Sequence, residues 1–183
     1  MSRFWSPIVH TLTPYTPGEQ PKIANLIKLN TNECPYPPSP KVLEAIRNVT
    51  NGDLRLYPDP DSTALRQTIA NFYNIDRDHV FVGNGSDEIL AFAFQALLNQ
   101  AGPLVYPDIT YSFYPVYCQL NGITAETVPL NDDFSLDLNA IPEHAGAIIF
   151  PNPNAPTGQC VSLDAISQLC RRMPNQVIVV DEA

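Results

Sequence analysis

The sequence is poor in positive charge and uneven in where it places it. Only 10 of its 183 residues are Lys or Arg, against 19 that are Asp or Glu, for a formal net charge of −9. That balance excludes a general nucleic-acid surface, which needs a clustered Lys/Arg patch. It also excludes a polybasic membrane anchor. Lysine stops early: Lys22, Lys28 and Lys41 are the only three. No stretch approaches the about 18 consecutive apolar residues of a membrane-spanning helix. Met1 to His10 lacks the charged-then-apolar pattern of a signal peptide. The cysteines Cys34, Cys118, Cys160 and Cys170 form no C-x-x-C pair and read as reduced thiols of a cytoplasmic protein. His10, His79 and His144 have no metal-ligand spacing, so no metal is expected and none of them is read as catalytic. Glycine is sparse at 8 residues, whereas proline reaches 19. An apolar fraction of 44% is enough for a packed core, and the length suits one domain, or one domain with an arm.

Residues 1–37, rich in Pro, Thr and Asn, read as an extended arm or small-domain segment, and residues 38–183 as part of a larger domain. Ser39 is a helix N-cap with Pro40 at the first helical position. Val42, Ala45, Ile46 and Val49 then follow at helical spacing until Asn51-Gly52. Tyr57-Pro58-Asp59-Pro60 is a turn. Asp61 or Ser62 caps a second helix with apolar Leu65, Ile69, Phe72 and Tyr73. Beyond it, strands are expected at 79–82, 104–106, 123–128, 147–150 and 177–180. Helices are expected at 87–99, at 111–120 and from Ser162 to Arg172. The helix at 87–99 is apolar on most sides, as in a covered helix. Val177-Ile178-Val179-Val180 reads as a strand buried on both faces. The alternation predicts an α/β fold: a mainly parallel sheet with helices on both faces.

In such sheets ligands sit beyond the carboxyl ends of the strands, so the residues just after each strand are the candidates. Gly83-Asn84-Gly85-Ser86-Asp87-Glu88 joins a strand to a helix. The glycines allow a tight turn, and the free N–H groups of Ser86 and Asp87 open the helix, which suits an anion. Glu88 stands where a dinucleotide fingerprint needs a third glycine, and no Gly-Lys-Ser/Thr follows. A plain capping box accounts for the same residues. Tyr111 offers a ring for a planar ligand, or is an ordinary core tyrosine. The rigid run Pro151 to Gly158 turns amides toward a ligand, or is only a well-built turn. Asp181 ends four consecutive Val/Ile residues. A carboxylate at that rim needs a partner: a protonated ring nitrogen is one, and a helix cap or ion pair is another.

Six motifs occur in one order along nearly the whole chain: Asn32-Glu33-Cys34-Pro35-Tyr36-Pro37-Pro38-Ser39-Pro40, Tyr57-Pro58-Asp59-Pro60, Gly83-Asn84-Gly85-Ser86-Asp87-Glu88, Tyr111, Pro153-Asn154-Ala155-Pro156-Thr157-Gly158 and Val180-Asp181-Glu182-Ala183. Together they resemble the large domain of fold-type I pyridoxal-phosphate enzymes, among the class I and II aminotransferases, and most closely the histidinol-phosphate aminotransferase family. The resemblance implies pyridoxal 5′-phosphate as cofactor, an amino donor and a 2-oxo acid as substrates, and a homodimer. It implies that Gly85, Ser86 and Asp87 hold the cofactor phosphate and that Tyr111 stacks on the ring. Asn154 would bond the ring hydroxyl, and Asp181 would pair with the ring nitrogen. Tyr57 would reach the phosphate in the neighbouring subunit, and Tyr36 would lie near the substrate. The sequence departs from the family at Cys34, where an asparagine is common, and at Ala155, where relatives often carry a second asparagine.

The family's Schiff-base lysine follows the segment that begins Asp181-Glu182-Ala183, and no lysine of this chain lies beyond Lys41. The resemblance therefore implies an N-terminal piece of a longer enzyme, inactive alone, with the edge of its last strand uncovered. A non-catalytic module for a phosphorylated ligand and a related phospho-amino-acid decarboxylase share these motifs and stand as alternatives.

Overall fold

The structure, a computed structural model, describes residues 3–13, 15 and 17–183. Four residues of the expected arm, Met1, Ser2, Pro14 and Thr16, lie outside the described residues. The chain divides into two compact units, Met1–Tyr15 with Gly83–Ala183, and Thr16–Val82. Residues 38–82 thus fall in one unit with residues 16–37 of the expected arm, and residues 1–15 in the unit that holds the sheet.

The unit Thr16–Val82 holds two helices, α1 (Pro40–Val49) and α2 (Thr63–Tyr73), and short 3-10 turns at Gly52–Arg55 and Arg77–His79. α1 begins where Ser39 Oγ accepts from Lys41 N–H at 3.3 Å, with Pro40 in the first turn. Its expected apolar residues Val42, Ile46 and Val49 are exposed. α2 is capped by neither Asp61 nor Ser62. Asp59 does it instead: Oδ2 accepts from Thr63 N–H at 2.7 Å and Oδ1 from Asp61 N–H at 3.1 Å. These two bonds hold its carboxyl below the usual range. The strand expected at 79–82 is absent. Val80 is extended, but neither it nor Phe81 pairs into a sheet. Val80's carbonyl instead accepts from Arg66 Nε at 2.7 Å.

The other unit is built on four parallel strands, β1 (Leu104–Pro107), β2 (Ala125–Val128), β3 (Ala147–Pro151) and β4 (Val177–Asp181), in the order β2-β1-β3-β4. Helices α3 (Ser86–Ala96), α4 (Tyr114–Asn121) and α5 (Leu163–Arg172) surround them. Side chains alternate between the faces, as a strand requires. Leu104, Tyr106, Ala147 and Ile149, with Val177 and Val179, pack with Leu90, Phe94 and Leu98 of α3 and its continuation and with Tyr114, Tyr117 and Cys118 of α4. Val105, Ile148 and Phe150, with Ile178 and Val180, pack with Leu169 of α5 and with Leu138, Ile141 and Met173. This is the α/β sheet, covered on both faces, that the sequence predicts. Arg172 ties α5 down by donating to the carbonyls of Leu138 at 2.6 Å and Ile141 at 3.0 Å.

Three expectations change here. α4 starts at Tyr114, not at Tyr111, because Pro115 belongs in a first turn and would remove a hydrogen bond from a helix interior. α3 is covered on one side only; Phe92 and Leu97 are exposed. β4 is half-buried, because it pairs with β3 alone and forms the sheet edge among the described residues.

Candidate functional site

The carboxyl ends of β1, β3 and β4 lie side by side, since Leu104 is in register with Ala147, and Pro151 with Asp181. The loops that leave them, with the first turn of α3, gather the site residues of this unit.

The turn before α3 is made by glycine geometry. Gly85 sits at φ 85°, which side-chain-bearing residues rarely adopt. A Cβ on Gly83 would lie 2.8 Å from Glu88 Oε2 and from Ile89 Cδ1. Glu88 needs that space, because its carboxylate reaches back to accept from Asn84 N–H. The expected capping box is not formed as a reciprocal pair: Glu88 satisfies Asn84, one residue before the N-cap. No side chain caps α3 at Gly85. The N–H groups of Ser86 and Asp87 have no protein partner among the described residues, as expected of a free first turn. An exposed turn of this kind attracts a phosphate.

Asp87 also works with its other atoms. Its Oδ1 accepts from Tyr111 Oη at 3.0 Å, and its carbonyl accepts from Tyr117 Oη at 2.7 Å. The first bond fixes the Tyr111 ring beside the anion turn. Burial, then the Asp87 carboxylate, pushes the Tyr111 hydroxyl above its ordinary range, so it stays a donor. Tyr111 meets Tyr114 edge to face, with centroids 5.6 Å apart. Tyr114 is fully buried and donates its Oη hydrogen to Asp181 Oδ2 at 2.8 Å. Burial first, then Asp181, raises the Tyr114 hydroxyl far above its ordinary value. A continuous row thus runs from the α3 terminus through Tyr111 and Tyr114 to the carboxylate that ends β4.

Asn154 lies at the same rim and is buried. Its Nδ2 donates to Ile109 O at 2.9 Å and to Thr157 Oγ1 at 3.1 Å, and its Oδ1 accepts from Thr110 Oγ1 at 3.1 Å. Both amide hydrogens expected at a ring hydroxyl are used inside the protein. Tyr36 and Tyr57 belong to the other unit, where both are exposed, Tyr57 completely.

Sequence reasoning missed Tyr114 and Tyr117. The signal was present: Tyr111, Tyr114 and Tyr117 recur every third residue, a spacing that keeps side chains near one face of a helix. Among the described residues no group of three or more His, Cys, Asp or Glu could hold a metal ion, and no helix is long and apolar enough to cross a membrane.

Comparison with known proteins bears on this geometry. The profile of the family described as "Aminotransferase class I and II" matches residues 24–183. Histidinol-phosphate aminotransferase 1 of Hydrogenovibrio crunogenus is 58% identical over the whole chain, which covers 51% of that protein. Histidinol-phosphate aminotransferase 1 of Pseudomonas fluorescens is 55% identical, again over the whole chain and 52% of the relative. The chain spans about half the length of the curated relatives it matches. Among solved structures, the histidinol-phosphate aminotransferase of Sinorhizobium meliloti in complex with pyridoxal-5′-phosphate superposes on all of this chain and on 52% of its own, with a TM-score of 0.81 at 23% identity. That likeness speaks for the fold.

Proposed function

Because this chain belongs to the class I and II aminotransferase family, we propose that it forms the cofactor-holding part of a pyridoxal-phosphate-dependent enzyme of histidine biosynthesis. That enzyme moves an amino group between L-histidinol phosphate and 2-oxoglutarate, as a homodimer in the cytoplasm. The names of the relatives at 55–58% identity support the substrate. The row Asp87–Tyr111–Tyr114–Asp181 carries the site reading, because it sets an anion turn, an aromatic ring and a carboxylate in one line.

The residues fit the cofactor. The open N–H groups of Ser86 and Asp87 suit a phosphate, Tyr111 offers a ring, and Asp181 is a half-buried acceptor for a ring N–H. When bound, pyridoxal phosphate supplies a protonated aromatic ring that draws electrons from the carbon bearing the transferred amino group. The chain's share is to place it. Ser86 and Asp87 hold the phosphate by backbone donation at a helix N-terminus. Tyr111 packs on the ring and is kept from turning by Asp87. Asp181 holds a proton on the ring nitrogen, and Tyr114 orients the carboxylate for that purpose. Tyr57 reaches the phosphate of the neighbouring subunit, and Tyr36 lines the substrate side.

These 183 residues hold the cofactor without a covalent bond and do not turn over substrate. All three lysines precede α2, and Lys28 Nζ is engaged by Gln20 Oε1 at 2.8 Å and by Glu33 Oε2 at 2.7 Å. Two experiments test the reading. Borohydride reduction of the chain with pyridoxal phosphate should leave Lys22, Lys28 and Lys41 unmodified by mass spectrometry; a stoichiometric adduct on any of them overturns it. Joining residues 1–183 to the portion of the Hydrogenovibrio crunogenus relative beyond the match should yield transamination of L-histidinol phosphate. Carbon dioxide release from a phospho-amino acid, without amino transfer, would identify a decarboxylase instead.

A further inference from the structure

Asn154 is the buried polar side chain of the described residues, 6% exposed, and the row from Asp87 to Asp181 does not use it. Its surroundings fix which way the amide faces. The carbonyl of Ile109 can only accept, so the amide nitrogen must be the atom 2.9 Å from it. The second hydrogen goes to Thr157 Oγ1, and the oxygen accepts from Thr110 Oγ1. The backbone of Asn154 is closed as well: its N–H donates to Gln159 O at 2.8 Å, and its carbonyl accepts from Gly158 N–H at 2.7 Å. The side chain of Asn152, the other asparagine of the loop, is bound to Val161 alone. It accepts from Val161 N–H at 2.8 Å and donates to Val161 O at 3.2 Å. Ala155 offers only a methyl group. Of the two asparagines, only Asn154 has both of its amide hydrogens bound within the protein.

We propose that Asn154 is a positioning residue that ties the loop after β3 to the loop after β1, and that it does not touch the cofactor's ring hydroxyl. It grips Ile109 and Thr110, the two residues before Tyr111, from a loop 44 and 45 residues away in sequence. Asp108 fixes the other end of the same segment: its Oδ1 accepts from Ile109 N–H at 2.9 Å and from Leu130 N–H at 3.0 Å. Tyr111 therefore leaves a backbone held from both sides, which sets where its ring stands before any ligand arrives. A buried amide with all its hydrogens paired is costly to reopen, so recruiting Asn154 to a ligand would break the brace that aims Tyr111.

The inference rests on the cofactor reading above, and the test separates the two. The 183-residue chain and its Asn154→Ala variant are titrated with pyridoxal 5′-phosphate and with the analogue that lacks the ring hydroxyl. Hydrogen exchange of the peptide spanning 108–114 is followed in parallel without ligand. A brace predicts the same fold-loss of affinity for both compounds. It also predicts exchange in 108–114 roughly tenfold faster, the equivalent of one lost hydrogen bond, with α5 unchanged. Weaker binding of pyridoxal phosphate alone, with the analogue unaffected, overturns the inference, as does unchanged exchange in 108–114. If the parent chain binds neither compound, the cofactor reading fails, and the exchange result still decides the brace. Thr110→Val removes one of the three side-chain bonds and should show the same pattern at smaller size, should Asn154→Ala fail to fold.

Discussion

Tyr114 and Asp181 are 67 residues apart in sequence and share one hydrogen bond of 2.8 Å, given by a hydroxyl whose ring is wholly buried. The bond joins the first turn of α4 to the last residue of β4, so helix and strand end fix each other. Tyr114→Phe keeps the ring and removes the donor. Loss of a hydrogen bond to a charged group should lower stability by about 1.5–3 kcal/mol. Urea unfolding of the two chains measures it, and an unchanged midpoint would mean that Asp181 needs no such anchor.

Asp181→Asn, made in the joined enzyme described above, should leave cofactor binding largely intact and slow transamination strongly. A neutral amide cannot hold a proton on the ring nitrogen. Losing ~3–5 kcal/mol of transition-state stabilisation corresponds to a rate loss of roughly 10²–10⁴. Turnover close to that of the parent would remove Asp181 from this role.

High pH should unfold the sheet unit. Burial pushes the Tyr106 hydroxyl from 10.0 up to about 12, and Tyr111 and Tyr114 shift in the same direction. Groups whose values rise on folding hold their proton more tightly in the folded chain. Their contribution is therefore complete below about pH 10 and is lost as pH climbs toward about 12. Thermal unfolding between pH 8 and 12 should show the fall in that window, and Tyr106→Phe should flatten it. A stability profile that is level across this range would contradict the burial of these hydroxyls.

The cysteines should divide three to one. Cys34, Cys160 and Cys170 are exposed, whereas Cys118 is buried against Tyr106, with its thiol pushed up to about 11 by burial. The reactive species is the thiolate. A thiol reagent at neutral pH should thus modify three residues of the native chain, and the fourth only in denaturant. Early labelling of Cys118, read by peptide mapping, would show that the α4 side of the sheet opens readily.

Much of the fold was legible because local chemistry wrote it. Ser39-Pro40 announced α1, Ser162 announced α5, and the run Val177 to Val180 announced β4. The errors came where a partner decides. Val80 to Val82 has a strand's composition but no neighbouring strand to pair with among the described residues. Tyr111 looked like the opening of a helix, although Pro115 already marked a first turn nearer Tyr114. In the site, Asp181 could be read from a strand end, and the turn at 83–88 from its glycines, although the strand expected before it does not form. The links between them could not, because Asp87 to Tyr111 spans 24 residues and Tyr114 to Asp181 spans 67. What joins such residues is the register of a sheet, and no local window contains it. Asn154 shows the converse: its residue type suggested a ligand, and its neighbours have taken every hydrogen it could offer.

The alternation along β4 makes the site sensitive to counting. Val177, Val179 and Asp181 share the face of Tyr114, while Ile178 and Val180 face Leu169. Deleting or inserting a single residue between 177 and 181 would turn the carboxylate to the opposite side of the sheet, among apolar groups, and bring a valine to Tyr114. A change of two residues would restore the side but slide Asp181 along the strand by about 7 Å, out of reach of the tyrosine. Most substitutions at Ile178 or Val180 are a question of volume. In this strand the length itself decides whether Asp181 meets Tyr114, and gaps in the 177–181 segment should be tolerated far less than changes of residue type.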